Sequence, residues 1–306
     1  MTLIVSVVVP TYRRPDALQQ CLMALAEQTR PADEVVLVVR DDDVESLRVI
    51  DGWRASLPVT SVPPATAGYV PALTAGLRAA SGEVVAWTDD DAQPLPDWLA
   101  RIADWFADPQ VVAVGGPDLP GAPDLSPTTR FGTISYAGKI VAGRPPYEPY
   151  IGRVDHLRGC NMAVRAPVAI PDSALRGDGS ANEIDICLQL RSRGWIMFDT
   201  RVAVMHVGAE RVAEDGDASE RPHVTAEAAG TAAFNLAYVF SKHTTGWARR
   251  AIMLGYIAGV GQGHSLGLIR GVALGLRTRD PHAMALTGHV MRNKLAGWRA
   301  GRAVRV

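Results

Sequence analysis

The chain has 306 residues, 47% of them hydrophobic and 21% charged, which excludes wholesale disorder and suits one large α/β domain or two smaller ones. Its 31 Lys+Arg against 32 Asp+Glu give a formal net charge of −1, an average that argues against a nucleic-acid or membrane-surface protein. The average hides a split: residues 1–241 carry 20 basic and 31 acidic side chains, residues 242–306 carry 11 basic and one acidic, Asp280.

The opening segment, MTLIVSVVVPTYRRP, has no basic n-region and too short an apolar run before Pro10 for a signal peptide. Cys21, Cys160 and Cys187 are sparse and form no C-x-x-C pair, so a reduced, cytosolic setting is expected. Leu3–Val9 is a continuous β-branched run, as a strand covered on both faces requires. A helix follows over Pro15–Gln28, with Ala17, Leu18, Cys21, Leu22 and Leu25 at helical spacing. Strands are predicted at Glu34–Val39, Val59–Val62, Glu83–Thr88 and Val111–Val114, and helices at Val70–Ala80 and Pro96–Ala107. Such alternation implies a mostly parallel central sheet flanked by helices.

Gly115–Pro149 reads as loops with an edge hairpin, Asn182–Arg193 as a helix and Val202–His206 as a short strand. From Thr225 onward the pattern is purely helical. The solvated stretch GAERVAEDGDASERP places a domain boundary there, dividing 1–220 from a basic, Gly-rich helical extension, 221–306. Within it, glycines recur every four residues from Gly255 to Gly275. Steps of four drift by about 40° on a helix, so they would wrap around it and form no single seam. Close packing through small residues and a merely coincidental spacing both fit.

In a parallel α/β sheet, ligands bind beyond the carboxyl ends of the strands. Strand one ends in PTYRRP without a glycine, which excludes the dinucleotide fingerprint and the P-loop. Strand two ends in Arg40-Asp41-Asp42-Asp43, and the Glu83–Thr88 strand in Asp89-Asp90-Asp91. Adjacent carboxylates repel unless they are solvated or hold a cation, and hard oxygen ligands at a buried strand's end suit Mg²⁺ or Mn²⁺ with a diphosphate. Asp41–Asp43 fits a solvated loop equally well. Asn182-Glu183-Ile184-Asp185 opens a helix, where acids also suit the dipole; Glu183 and Asp185 lie about 200° apart, so they cannot both point at one substrate. His206 closes the strand VAVMH.

These segments together resemble family 2 glycosyltransferases of the GT-A fold over about residues 3–210: VSVVVPTYRRPDALQQCL, QTRPADEVVLVV, SGEVVAWTDDDAQPLPDWL, RGCNMAVR and NEIDICLQLRSRGW. The resemblance implies that Pro10, Thr11, Tyr12 and Arg13 line a nucleotide pocket, with Gly68 opening a donor-side helix. Asp41 or Asp42 would meet the base. Asp89 and Asp90 would face ribose and phosphate, and Asp91 would coordinate the metal, with His206 near it. Gly159-Cys160-Asn161-Met162 would form a loop near donor sugar and acceptor. Glu183 matches the catalytic acid of a Glu-Asp pair whose first member is Asn182 here. One departure is Leu73, where the family often has an arginine in A-R-N-x-G.

The implied reaction is inverting, metal-dependent transfer from a nucleoside-diphosphate sugar to a hydroxyl of a glycan or lipid-linked acceptor. Glu183 would be the general base, with Asp185 as the alternative. A non-catalytic nucleotide-sugar binder and a sugar nucleotidyltransferase are the rival readings. The arginines of 242–306 would meet an anionic membrane surface with an apolar face beneath, at the inner face of the cell membrane. A helical appendage that packs on the catalytic domain or forms a homodimer is the alternative.

Overall fold

A computed structural model describes residues 3–119, 126–141, 143–208, 211–212, 218–219, 225–262, 265–279 and 281–304. In chain order the elements are β1 (Val5–Pro10), α1 (Pro15–Ala26), β2 (Glu34–Val38), α2 (Val44–Trp53), β3 (Val59–Val62), α3 (Tyr69–Ala79) and β4 (Val84–Thr88). Then come β5 (Ala92–Pro94), α4 (Trp98–Trp105), β6 (Val111–Gly115), β7 (Asp118–Leu119), β8 (Ile151–Arg153), β9 (Asn161–Arg165), α5 (Asn182–Leu190), β10 (Trp195–Asp199) and β11 (Val204–His206). Four helices follow: α6 (Ala226–His243), α7 (Trp247–Gly259), α8 (Leu268–Thr278) and α9 (Pro281–Ala303).

Eight strands form the central sheet in the order β3-β2-β1-β4-β9-β6-β10-β8, with β8 and β9 running against the rest. The period of two decides which face each side chain serves. Val5, Val7 and Val9 point to the layer of α1, α2 and α4, and meet Leu18, Leu22, Ile50, Trp98 and Ile102. Val8 points to the other layer, with Leu73 and Leu77 of α3 and Ile186 and Leu190 of α5. Leu73, where an arginine was the family's habit, is wholly buried in that layer.

Several elements depart from the sequence reading. RGCNMAVR, expected as a loop from Gly159 to Met162, becomes strand β9 from Asn161, wedged antiparallel between β4 and β6. WIMFD forms strand β10, which the helical reading of the preceding residues concealed. Helix α2 follows the Asp41–Asp43 run, and Asp43 caps it by accepting from the Ser46 N–H. The expected boundary at 220/221 lies outside the described residues.

The glycines from 255 to 275 do not share a helix: Gly255 and Gly259 lie in α7, Gly271 and Gly275 in α8, and Gly263 lies outside the described residues. The tightest crossing is elsewhere, between α6 and α9. A Cβ on Gly297 would lie 2.2 Å from the Phe234 carbonyl oxygen, and one on Gly301 2.3 Å from that of Tyr238. Gly297→Ala is therefore expected to push the two helices apart and cost about 1–3 kcal/mol in thermal unfolding. Gly255→Ala, whose Cβ meets nothing within 4 Å, is expected to be neutral or stabilising.

Candidate active site

The acids after β4 are sorted by a turn. Ala92 N–H donates to the Asp89 carbonyl (3.1 Å), so Asp90 and Asp91 occupy the middle of a β-turn and their side chains diverge. Asp90 turns inward and is fully buried, accepting from the Thr11 hydroxyl (2.8 Å) and pairing with Arg14 (2.5 Å). Burial, opposed by Arg14 and Thr11, pushes its carboxyl up to about 7. This corrects the expectation that Asp90 contacts ribose or phosphate: it has no surface left to offer.

Asp89 lines the cleft, and Asp91 lies half-buried beside it. Strand β11 lies antiparallel to β5 with His206 opposite Ala92, and Val207 N–H donates to the Asp91 carbonyl (3.0 Å). That register delivers the His206 Nε2 to 3.2 Å from Asp91. Asp89, Asp91 and His206 each offer one ligand atom, all within 4.8 Å of one another. Two hard carboxylates and an imidazole form a donor set that fits a divalent cation. Asp89 thus joins Asp91 and His206 in the group that could hold a cation and is not restricted to the ribose. The hydrogen bond to Asp91 raises the pKa of His206.

Facing this group across a cavity of about 490 Å³ is the first turn of α5. Glu183 lines that cavity together with Asp89 and His206. Ala181, the residue before α5, takes a left-handed φ of 71°, which strains a side-chain-bearing residue by about 1–2 kcal/mol. Burial raises the Glu183 carboxyl to about 7, helped by Asp178 and Asp89 and opposed by a backbone N–H and Arg158. Asp185 lies on the opposite side of the helix, fully buried, 3.0 Å from Lys242 Nζ and 2.6 Å from His243 Nε2 of α6. It is a tie between α5 and α6, which removes it as the alternative base. Asn182 is buried and donates to the Gly179 carbonyl (3.0 Å).

Gly159 and Cys160 line the cavity, and the Cys160 carbonyl accepts from Thr88 (2.8 Å), which holds this turn beside Asp89. Burial pushes the Cys160 thiol far up, so it is no nucleophile. Asn161, expected near the sugar, is instead wholly buried. Its amide donates to the Pro117 (3.1 Å) and Val202 (2.7 Å) carbonyls and its oxygen accepts from Trp98 (2.8 Å). It braces the loops that lead to Asp118 and His206. Met162 is buried in the sheet.

At the end of β1, Pro10 and Thr11 are buried. The Tyr12 ring lies between two guanidiniums, Arg13 at 5.0 Å and Arg40 at 4.7 Å from its centroid. Asp42 ties both together, 3.5 Å from Arg13 and 2.9 Å from Arg40. Asp41 is exposed in the same turn, which Asp43 N–H closes on the Arg40 carbonyl (3.0 Å). Gly68, with φ 117°, opens α3 at an angle that favours glycine.

Residues 6–140 match the family model described as Glycosyl transferase family 2. These residues carry a family 2 glycosyltransferase domain. The chain is 34% identical over 198 residues to the glucosyl-dolichyl phosphate glucuronosyltransferase of Haloferax volcanii, covering 61% of this chain and 63% of that protein. It is 36% identical over 115 residues to the amylovoran biosynthesis glycosyltransferase AmsE of Erwinia amylovora, covering 36% and 43%. The aligned parts therefore span less than two thirds of either relative. The fold is similar to that of a Pyrobaculum calidifontis mannosyltransferase in complex with GDP-Man and Mn²⁺ (TM-score 0.56, 19% identity, 97% of this chain and 87% of that one). It is also similar to Staphylococcus aureus TarS 1–349 in complex with UDP-GlcNAc (TM-score 0.60, 16% identity, 98% and 91%). Both likenesses take in the C-terminal helices, and they show the GT-A fold of the glycosyltransferase domain.

Several residues of the candidate site escaped the sequence reading. Arg14 stands in the quoted PTYRRP yet was given no role; it pairs with both Asp90 and Asp91. Asp118, which lines the cavity and pairs with Arg158 at 2.8 Å, follows a buried strand as the Asp89 triplet does, and that position was its signal. His156 also lines the cavity, with its buried Nε2 lacking a hydrogen-bond partner; burial lowers its pKa. Nothing in its local sequence marks it.

Proposed function

We propose that this protein transfers a sugar, with inversion, from a nucleoside-diphosphate sugar to a hydroxyl of a glycan or lipid-linked acceptor, at the cytoplasmic face of a membrane. The observation that carries the reading is the shared cavity, lined by Glu183 with its raised carboxyl and by Asp89 and His206, which form one group of candidate ligands with Asp91. The acceptor class is supported by the similarity to a glucosyl-dolichyl phosphate glucuronosyltransferase.

In this reading the nucleotide base lies beside Tyr12 at the end of β1, whose ring Arg13 and Arg40 cover. Asp89, Asp91 and His206 would hold a divalent cation, Mn²⁺ or Mg²⁺, the imidazole suiting Mn²⁺. When bound, that cation offsets charge on the departing diphosphate. Ionised Glu183 takes the proton from the acceptor hydroxyl as its oxygen attacks the anomeric carbon from the face opposite the leaving group. Asn161 and the Ala181 turn keep the two walls of the cavity in place.

A panel of nucleotide sugars with Mn²⁺, read by thermal shift and by nucleoside diphosphate release, tests the reading. One donor is expected to raise the melting temperature in a metal-dependent way and to be turned over with a lipid-linked acceptor. Asp91→Ala is expected to weaken metal-dependent donor binding by about tenfold or more in titration calorimetry. Unchanged affinity would remove Asp91 from the metal group.

A further inference from the structure

Helix α8 is built inside out. Its two glycines, Gly271 and Gly275, are the buried residues, and a Cβ on Gly271 would fall 2.3 Å from the Thr287 hydroxyl of α9. Its large apolar side chains face away: Ile269 is 67% exposed and Leu276 68%, with Leu268 also open. Helix α7 does the same on a smaller scale. Met253 and Ile257 pack inward, while Trp247, 84% exposed, and Ile252, 50% exposed, share a face with Ala251 and Gly255. The helices meet where Ile269 approaches Gly259, so the two apolar faces adjoin. Lys294 of α9 pins the pair from beneath, donating to the Ile257 (2.8 Å) and Leu266 (2.9 Å) carbonyls.

The charge around this face has one sign. Arg270, Arg277 and Arg279 of α8 and its C-terminus are exposed, and Asp280 is the single acid in 242–306. Both lysines of this region are spent internally, Lys242 on Asp185 and Lys294 on the carbonyls, so arginine supplies the outward charge. Exposed apolar side chains rimmed by cations are what an interfacial helix presents to anionic headgroups. A second copy meeting the same face across a two-fold axis would set arginine against arginine, which costs free energy. Among the described residues no helix is long and apolar enough to cross a membrane, so the contact is a surface one.

We propose that the α7–α8 face docks on an anionic lipid bilayer, with Trp247, Ile252, Ile269 and Leu276 entering the headgroup–acyl boundary and Arg270 and Arg277 meeting the headgroups. The proposal uses no residue of the cleft and stands whether or not the transfer reading holds. The test is flotation of the full chain with vesicles of phosphatidylcholine alone and with roughly one-third phosphatidylglycerol. The chain is expected to float with the anionic vesicles only. Ile269→Glu/Leu276→Glu is expected to weaken that binding by about tenfold or more, and Arg270→Gln/Arg277→Gln to make it weaker and less salt-dependent. All four positions are exposed, so unchanged melting curves are expected and confirm folding. Trp247→Phe is expected to abolish a vesicle-induced blue shift in fluorescence. Absence of binding to anionic vesicles, or equal binding by the Ile269→Glu/Leu276→Glu variant, overturns the proposal. A dimer in light scattering that this variant dissolves would assign the face to a second copy instead.

Discussion

Glu183→Gln is expected to lower kcat for transfer by about 10²–10⁴-fold while leaving donor affinity nearly unchanged, because the amide keeps the shape but cannot accept the proton. The pH dependence follows from the same carboxyl. Burial in the first turn of α5 raises it to about 7, so the fraction of enzyme carrying an ionised base, and kcat/KM with it, rises as pH passes through about 7. Stability moves the other way. The folded carboxyl holds its proton above the ordinary value of 4.5, so the unfolded chain binds fewer protons between 4.5 and about 7. Stability is full below 4.5 and falls as pH rises through about 7. Glu183→Gln has no such loss. It is expected to melt with the wild type at pH 4 and above it at pH 8, by a margin on the order of 2 kcal/mol. Equal melting at both pH values would show that the carboxyl is not strained by burial. Full turnover in the variant would move the base elsewhere.

Lys242→Met is expected to destabilise the fold by about 3 kcal/mol or more, lowering the melting temperature by roughly 5–10 °C. The ammonium sits 2.9 Å from Asp172 and 3.0 Å from Asp185, and Asp185 has no contact with water. Removing the lysine takes away the one ammonium beside this buried carboxyl and leaves His243 as a hydrogen-bond partner, and the lost pairing is the source of the cost. Lys242→Met/Asp185→Leu is expected to recover most of the loss, since two apolar groups need no partner. Glu183 stands two residues from Asp185 on the same turn, so the single variant is also expected to lower kcat more than it raises KM for the donor. A melting temperature unchanged by Lys242→Met would show that His243 alone suffices.

The strands of the parallel half were legible because full burial demands unbroken β-branched runs: Val5, Val7, Val8 and Val9 are all inaccessible to solvent. Helix α2 was not, because its acidic lead-in fitted a solvated loop as well as a contact to the base through Asp41 or Asp42, and only the fold shows Asp43 as a cap. The short strand β9 hid behind Gly159 and Cys160, and β10 behind the helix before it. Both become strands through partners far along the chain, β4 and β6 in one case and β6 and β8 in the other.

The local pattern by itself determined the β3-β2-β1-β4 half of the sheet, the acids at its carboxyl edge, the helical C-terminal region and the charge split at residue 241, because each is written in neighbouring residues. Tertiary structure alone decided which acids matter. Asp89, Asp90 and Asp91 are identical side chains, yet a turn buries Asp90 against Arg14 while a strand 115 residues away brings His206 to Asp91. Likewise α8 has an apolar pattern that reads as a buried face, and only its glycine contact with Thr287 shows that face turned outward. Burial and pairing depend on what the rest of the chain places alongside, and no window of adjacent residues contains that information.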